Sequence, residues 1–370
     1  MYSANNSATV VLETGSNKVW TVAFHPDGTH LFNGTKEGIQ RRRLADGEEV
    51  GKQTGMDLNA ISVSMDEKWV VCGSQGGASV WDAEIREKVV EVEDGKDVAA
   101  VDTAPDCTRF ATGTWDSNEV SLWSITTGER LVGPLKHGGP VVGIKFSPDG
   151  QRFATACSED FEPSIRIFDS HNGDQLIPIK NPISLAVPVT PIVWSMDSRK
   201  LFAASKGSKI KSFDSTTGSE LAEWKIHDND DPTRFSITLS GNNKFIAACA
   251  SRSVSFWDTS THTQIGIVED TEQIRCIALS PDGSRLAGGS YNSGRVILWD
   301  LSSILPESYL PVRVSTRFLS PRIRFIHLSL FPHACKIFFG PKPRTQVVSA
   351  IIRSKRPVTK KTMMVSSRYQ

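Results

Sequence analysis

The sequence lacks the marks of most catalytic chemistries. It has no GxxxxGK[ST] phosphate loop, no GxGxxG opening a helix, no HExxH and no serine within GxSxG, so no nucleotide, metalloprotease or hydrolase site is declared. Its six cysteines (72, 107, 157, 249, 276 and 335) form no CxxC and no Cys/His metal spacing, and its eight histidines never pair at i, i+4. Cys72, Cys157, Cys249 and Cys276 sit inside apolar runs, where a thiol acts as a small hydrophobe; this fits a reducing compartment. No stretch approaches the ~20 uninterrupted apolar residues of a membrane span. The opening MYSANNSATV has no apolar core of the kind a secretory signal needs. A cytoplasmic location is expected, with the nucleus open. The Asn-x-Ser/Thr sequences at Asn5 and Asn33 then have no glycosylation to report. In HDNDD (227–231), Asp228 and Asp230 alternate as calcium ligands do. Counting from Asp228, however, Thr233 and Leu239 stand where a calcium loop wants Gly and Glu, so a solvated loop is expected. No catalytic residue, cofactor or metal is expected.

What the sequence has is a period. Turns related to Ser-Pro-Asp-Gly occur at HPDG (25–28), SMDE (64–67), APDC (104–107), SPDG (147–150), SMDS (195–198), LSGN (239–242) and SPDG (280–283). Their second residues are spaced by 39, 40, 43, 48, 44 and 41 positions, a unit of the length of a four-stranded propeller blade. Each turn follows an alternating strand such as VVGIKFS and precedes a strand of small residues such as FATGT or LAGGS. A third strand ends in an aromatic residue followed by Asp or a near relative: Trp81-Asp82, Trp123-Ser124, Phe168-Asp169, Phe213-Asp214, Trp257-Asp258 and Trp299-Asp300. Alternation of period two, bounded by Gly, Asp and Ser turns, is a β pattern throughout.

On these seven registers, over residues 8–301, the chain resembles the WD-repeat family. Its Met-Asp turns and Phe-Asp endings resemble the degenerate repeats of large fungal members. The resemblance implies an all-β, seven-bladed propeller over residues 1–301, with a linker and basic tail over 302–370. The seventh unit ends at Asp300 without a fourth strand, whereas TVVLETG (9–15) aligns with the fourth strands KVVEVEDG and QIGIVEDT. Residues 9–14 are therefore expected to close the last blade and leave no long open edge. The family's His–Ser/Thr–Asp–Trp hydrogen-bond relay carries over only in part. Blade three offers Thr114, Asp116 and Trp123, with Asp94 in the His slot. Blade four offers His137, with Cys157, Glu159 and Phe168 in the other slots. Blade seven offers Ser290 and Trp299, with Asn292 and Asp270. Packing is expected to carry more stability than these remnants. Arg42 takes the Trp slot of blade one; pairing with Glu37 is expected there, with an anion site as the alternative.

Charge separates two regions. Residues 311–370 hold 13 of the 42 basic residues and none of the 41 acids, leaving 29 bases against 41 acids before them, a net of −12. The acids cluster in VEDGKD (92–97), SEDFEP (158–163), HDNDDP (227–232) and VEDTE (268–272), loops that a propeller would open on one face. Family members most often use that face for partners. The expected function is a non-enzymatic protein–protein interaction scaffold, a monomer by itself. It would bind a basic segment through Glu93, Asp94, Asp160, Asp230 and Glu269. The alternative is nucleic-acid or nuclear association through the tail, where KRPVTKK (355–361) is compactly basic. Read-through sequence or attachment to an acidic surface would also account for the tail, which is expected to be disordered in each case.

Overall fold

A Ser-x-Asp turn closes on itself before it meets the rest of the chain. In SPDG the Ser147 hydroxyl donates to Asp149 (2.6 Å), the Gly150 amide donates to the Ser147 carbonyl (2.8 Å), and the hydroxyl also accepts from the Arg152 amide (3.0 Å). The backbone turn recurs seven times, with His25 in the serine place in blade one and Ala104 in blade three, and joins the first and second strands of seven four-stranded antiparallel sheets. The computed structural model describes residues 10–311 except 17, 85–86, 93–94, 158–163, 181–190, 206, 228–234, 251 and 271. The first strands touch in cyclic order, from blade one (Thr21–Phe24) through blade seven (Ile274–Leu279) and back to blade one, so the sheets close a ring. Among the described residues no helix is long and apolar enough to cross a membrane.

The small residues of each second strand have a packing reason. A Cβ on Gly113 of blade three would lie 2.6 Å from Val141 and 2.9 Å from Ile144, both in the first strand of blade four. That strand therefore sits directly on the neighbouring sheet, and a larger residue at 113 would push the blades apart. The buried residues form successive clusters that each bridge two or more blades rather than one central core.

The ring closes as the sequence implies. Val10–Glu13 pairs with the third strand of blade seven, Arg295–Asp300, in the register Val10–Leu298 to Glu13–Arg295. The physical cause lies at residue 304. In blades one, three, four and five, the fourth residue after the third strand's last is Gly47, Gly128, Gly173 or Gly218, each left-handed, and blade six has His262 with φ 58°. This conformation turns the chain back into a fourth strand. Blade seven begins the same turn, with Asp300 accepting from the Ser302 amide (2.9 Å) and Leu301 donating to Ser284 (2.9 Å). Ile304 then occupies the turning position, and a β-branched residue resists the left-handed region; its φ is −115°. The chain runs on instead, through short 3-10 turns at Leu301–Ser303 and Glu307–Tyr309.

Residues 302–311, read from the sequence as the start of a linker, pack on blade six. Leu301 and Leu305 are buried, the Tyr309 hydroxyl donates to Asp258 (2.7 Å), and Lys244 and Asn242 donate to the carbonyls of Ser308 and Tyr309. Burial raises the Asp258 pKa, but the hydrogen bonds from Ser260, Thr261 and Tyr309 outweigh it and hold the carboxyl well below the usual range. The rest of the tail, from residue 312, and with it the expectation of disorder, lies outside the described residues.

The relay remnants are connected differently from the sequence assignment. The Trp123 indole donates to Thr112 (2.8 Å), not to Thr114. The His137 ring meets Thr155 at 2.9 Å, two residues before Cys157. Residues two apart in a strand share a face, so the sequence left the depth of the contact open. Thr114 and Ser290 instead hold their own loops, Thr114 accepting from the Glu119 amide (2.9 Å) and Ser290 from the Ser293 hydroxyl (2.9 Å). Asp116 accepts from the Asp97 amide (3.1 Å). In blade seven the hydroxyl position is Gly288, and Trp299 packs its ring there. Arg42 pairs with Glu49 (3.5 Å) and donates to the Gly47 and Glu13 carbonyls, whereas Glu37 takes Lys52. The sheet register, which sets Arg42 opposite Glu49, decides this.

Two measurements test this account. In blade six the turn falls one residue later than the sequence reading of 239–242, on Ser240–Asn243, where the Asn243 amide donates to the Ser240 carbonyl (2.9 Å). The fourth turn residue is then left-handed in all seven blades, and four blades place a non-glycine there: Glu67, Cys107, Ser198 and Asn243. Replacing exposed Glu67 with Gly is expected to raise stability by about 0.5–1 kcal/mol in urea unfolding, the relief of left-handed strain exceeding the entropy Gly adds to the unfolded chain. For His137, burial pushes the imidazole down to about 4 from an ordinary 6.5. The fold thus favours the neutral ring, and its contribution is complete above pH 6.5 and is lost as pH falls toward 4. His137→Gln is expected to remove ~2 kcal/mol of the stability drop between pH 7 and 5, read from urea unfolding at both values.

Candidate functional site

Antiparallel order places two kinds of loop at the same end of every blade: those joining second to third strands, and those leading from a fourth strand into the next blade. They meet by backbone hydrogen bonds, as from Trp115 to Asp97 (2.7 Å), Ile226 to Ser208 (2.8 Å) and Tyr291 to Gln273 (2.9 Å). A narrow cavity is lined by first-strand residues of several blades, including Ile61, Val101, Ile144 and Ile192, with Trp20 beside them. The Ser-x-Asp turns lie at the opposite end.

Of the five acids expected to bind a partner, Glu93, Asp94, Asp160 and Asp230 lie outside the described residues. Glu269 ends the fourth strand of blade six and is exposed. The HDNDD segment from Asp228 onward also lies outside the described residues.

The structure brings together a group of acids that the sequence reading did not single out. Asp97 leads into the first strand of blade three, and its amide donates to Asp116 on the neighbouring loop. Asn59, in the first strand of blade two, donates to the Asp97 carboxylate (2.7 Å). Burial raises the Asp97 pKa, and the nearby charges of Asp116 and Asp57 raise it further, against the lowering by Asn59. Asp57 has Lys36 at 3.5 Å, and Glu119 nearby is flanked by Lys96 and Lys136. Asp97 thus sits in negative potential that an added cation would relieve. The signal was in the sequence: Asp97 closes the VEDGKD run, and Asp116 had been read as part of a structural relay.

At the opposite end, His25, Asp27 and Glu67 bring one potential ligand atom each within 4.8 Å. The His25 ring already faces Asp27 at 2.8 Å, and Asp27 accepts from the Thr29 amide and hydroxyl, so His25 and Asp27 serve their own turn. Cys72, Cys157, Cys249 and Cys276 are buried, and burial pushes their thiols up to about 12, which leaves them inert as nucleophiles.

Comparison with known proteins agrees with this geometry. The WD40 family model (WD domain, G-beta repeat) matches residues 8–39, 130–171 and 262–300, the three segments whose hairpin turns keep Pro-Asp-Gly. Human Striatin-4 is 27% identical over 172 residues, which are 45% of this chain and 22% of that protein. The guanine nucleotide-binding protein subunit beta of Arabidopsis thaliana is 34% identical over 192 residues, 50% of this chain and 38% of that protein. The chain thus spans less than half the length of these curated relatives. The solved β-propeller domain of Cps50 (Swd1) from Myceliophteria thermophila superposes with a TM-score of 0.68 at 17% identity, covering 80% of this chain and 99% of that one. The chain thus carries WD repeats in three places and folds as a seven-bladed β-propeller.

Proposed function

We propose that the protein is an interaction scaffold that binds a basic segment of a protein partner on its loop face. WD-repeat propellers are generally non-catalytic scaffolds that bind other proteins, and a rigid ring displaying many short loops suits that role. The observation that carries the finer reading is the acidic group at the junction of blades two and three, where Asp57 and Asp116 raise the pKa of half-buried Asp97. A lysine or arginine arriving there gains from Asp97 and Asp116, with Asp57 shared with Lys36, and the net −12 of residues 1–310 steers it toward the surface. Glu93, Asp94, Asp160, Asp230 and Glu269 are proposed to add to this attraction, on the sequence evidence that they fall in acid-rich segments of the chain. A second reading rests on the 13 bases and absent acids of residues 311–370: nucleic-acid binding through the tail, which would fall steeply with salt.

The test is an affinity pull-down with mass spectrometry on the full chain, beside a variant carrying Asp57→Asn, Asp97→Asn and Asp116→Asn together with Glu93→Gln and Asp94→Asn. Basic partners recovered by the parent and lost or weakened about tenfold by the variant, with a flatter salt dependence, are the expected outcome. Recovery that is unchanged in amount and in salt dependence sinks the loop-face reading. Nucleic acid recovered equally by both chains supports the tail.

A further inference from the structure

Where the left-handed turn residue carries a side chain, that side chain reaches back over the turn of the preceding blade. The Ser198 hydroxyl of blade five accepts from the Asp149 amide of blade four (3.1 Å), and the Asn243 carboxamide of blade six accepts from the Met196 amide of blade five (2.8 Å). The Cys107 sulfur of blade three faces the Met65 and Asp66 amides of blade two. Glu67 of blade two holds the same place over blade one, but the turn it meets is different. Pro26 has no N–H, the Asp27 amide points at the His25 ring (3.4 Å), and the Gly28 amide donates to the His25 carbonyl (2.9 Å). The Glu67 carboxylate meets side chains instead. His25, Asp27 and Glu67 bring one potential metal-ligating atom each to within 4.8 Å of one another.

We propose that these three residues form a binding site for a zinc ion that bridges blades one and two at the Ser-x-Asp end. One imidazole with two carboxylates is a donor set that suits zinc, whereas magnesium and calcium prefer oxygen alone. Half of the geometry is already in place. His25 Nδ1 and Asp27 Oδ1 stand 2.8 Å apart, close to the ~3 Å between neighbouring ligand atoms of an ion bonded at ~2.1 Å. Such a pair shares a proton, and a bound ion takes that proton's place. His25 is buried, and Asp27 accepts from the Thr29 amide (2.7 Å) and hydroxyl (2.6 Å), so both ligands are held in advance. Exposed Glu67 has only to swing its carboxylate inward. The His30 ring, 3.9 Å from the other Asp27 oxygen and 2.6 Å from the Thr29 hydroxyl, helps to orient that carboxylate from outside. The arginines beside His30 are engaged: Arg41 donates to the Ala83 carbonyl (2.8 Å), and Arg43 pairs with Asp46 and Glu48. Three protein ligands leave part of the shell to water or to a side chain that a partner brings. The site lies at the end of the blades away from the loop face, so it stands independently of the acidic group there.

The probe is zinc chloride, titrated by isothermal calorimetry into the full chain after treatment with EDTA and dialysis, beside Glu67→Gln and Asp27→Asn. Each substitution removes a charge while keeping the size of a side chain outside the core, so the ring should fold in both. Saturable binding to the parent, weakened roughly tenfold or more in either variant, is expected. Saturating zinc should also raise the melting temperature of the parent and leave that of Glu67→Gln unchanged. Magnesium chloride should bind the parent at least about tenfold more weakly than zinc. Equal zinc affinity in parent and variants places the ion elsewhere on the chain and overturns the assignment. A lack of saturable binding overturns it as well, as does magnesium binding equal to that of zinc. Should Asp27→Asn unfold, Glu67→Gln alone decides.

Discussion

A ring of sheets cannot tolerate an incomplete last sheet, since its open edge would expose a row of unpaired amides and carbonyls and leave the neighbouring blade half uncovered. Everything else in this molecule depends on how that requirement is met. Val10–Glu13 supplies the missing strand, and Leu12 is buried in a cluster with Val22 and Leu31 of blade one and Val296 and Leu298 of blade seven. Arg295 adds a bond to Glu13 (2.8 Å) at the surface. The place is free for that strand because Ile304 declines the left-handed turn that sends the chain back in other blades. Ile304, outside the left-handed region, stands where the chain ends diverge, and the diverted segment covers Gly266 of blade six.

Once the ring is closed, neighbouring blades meet through packed seams and through side-chain bonds that cross them, such as Lys145 to Asp102 (2.7 Å) and Arg152 to the Ser215 carbonyl (2.7 Å). The indole–hydroxyl and imidazole–hydroxyl contacts are scattered: Trp123 with Thr112, His137 with Thr155, Trp81 with Ser79 and Trp257 with Ser255. Each satisfies a group inside one blade and none links a sheet to its neighbour. The seams are held by aliphatic packing against glycine-bearing turns, Val90 against Gly128, Val132 against Gly173 and Ile177 against Gly218. Blade six uses His262 in the left-handed conformation instead and stacks its ring on Trp224 at 4.5 Å. Ring stacking there takes the place of the close backbone approach that glycine allows elsewhere.

The fold was legible because its signals are local. Turn chemistry, period-two alternation and aromatic-Asp endings recur seven times, and the alignment of TVVLETG with fourth strands exposed the closure. The hydrogen-bond partners were less legible: Thr112 and Thr114 lie on one face of a strand, and which of them meets the indole depends on ring depth, which the sequence does not encode. Arg42 was assigned to Glu37 by proximity in sequence, whereas the register across the sheet gives it Glu49. The segment after Asp300 has no repeat signal, though Asp300-Leu-Ser-Ser begins the usual turn and Ile304 stands where glycine belongs. At the candidate site, single acids could be read from the sequence, but the convergence of Asp57, Asp97 and Asp116 required knowing which loops meet.

The closure has a consequence for how the protein is made. Val10 pairs with Leu298 and Thr14 with Gly294, contacts between residues some 280 positions apart. Individual hairpins, and even whole blades, can form from neighbouring residues, but the first strand of the ring must wait for a strand at its far end in sequence. Until then blade seven has no fourth strand, and Val10–Glu13 is an unpaired β segment in search of an edge. Contacts of such separation slow folding and lengthen exposure to aggregation. Closure of this ring is therefore a late step of folding, and until it happens both the edge of blade seven and the strand that will cover it stay unpaired.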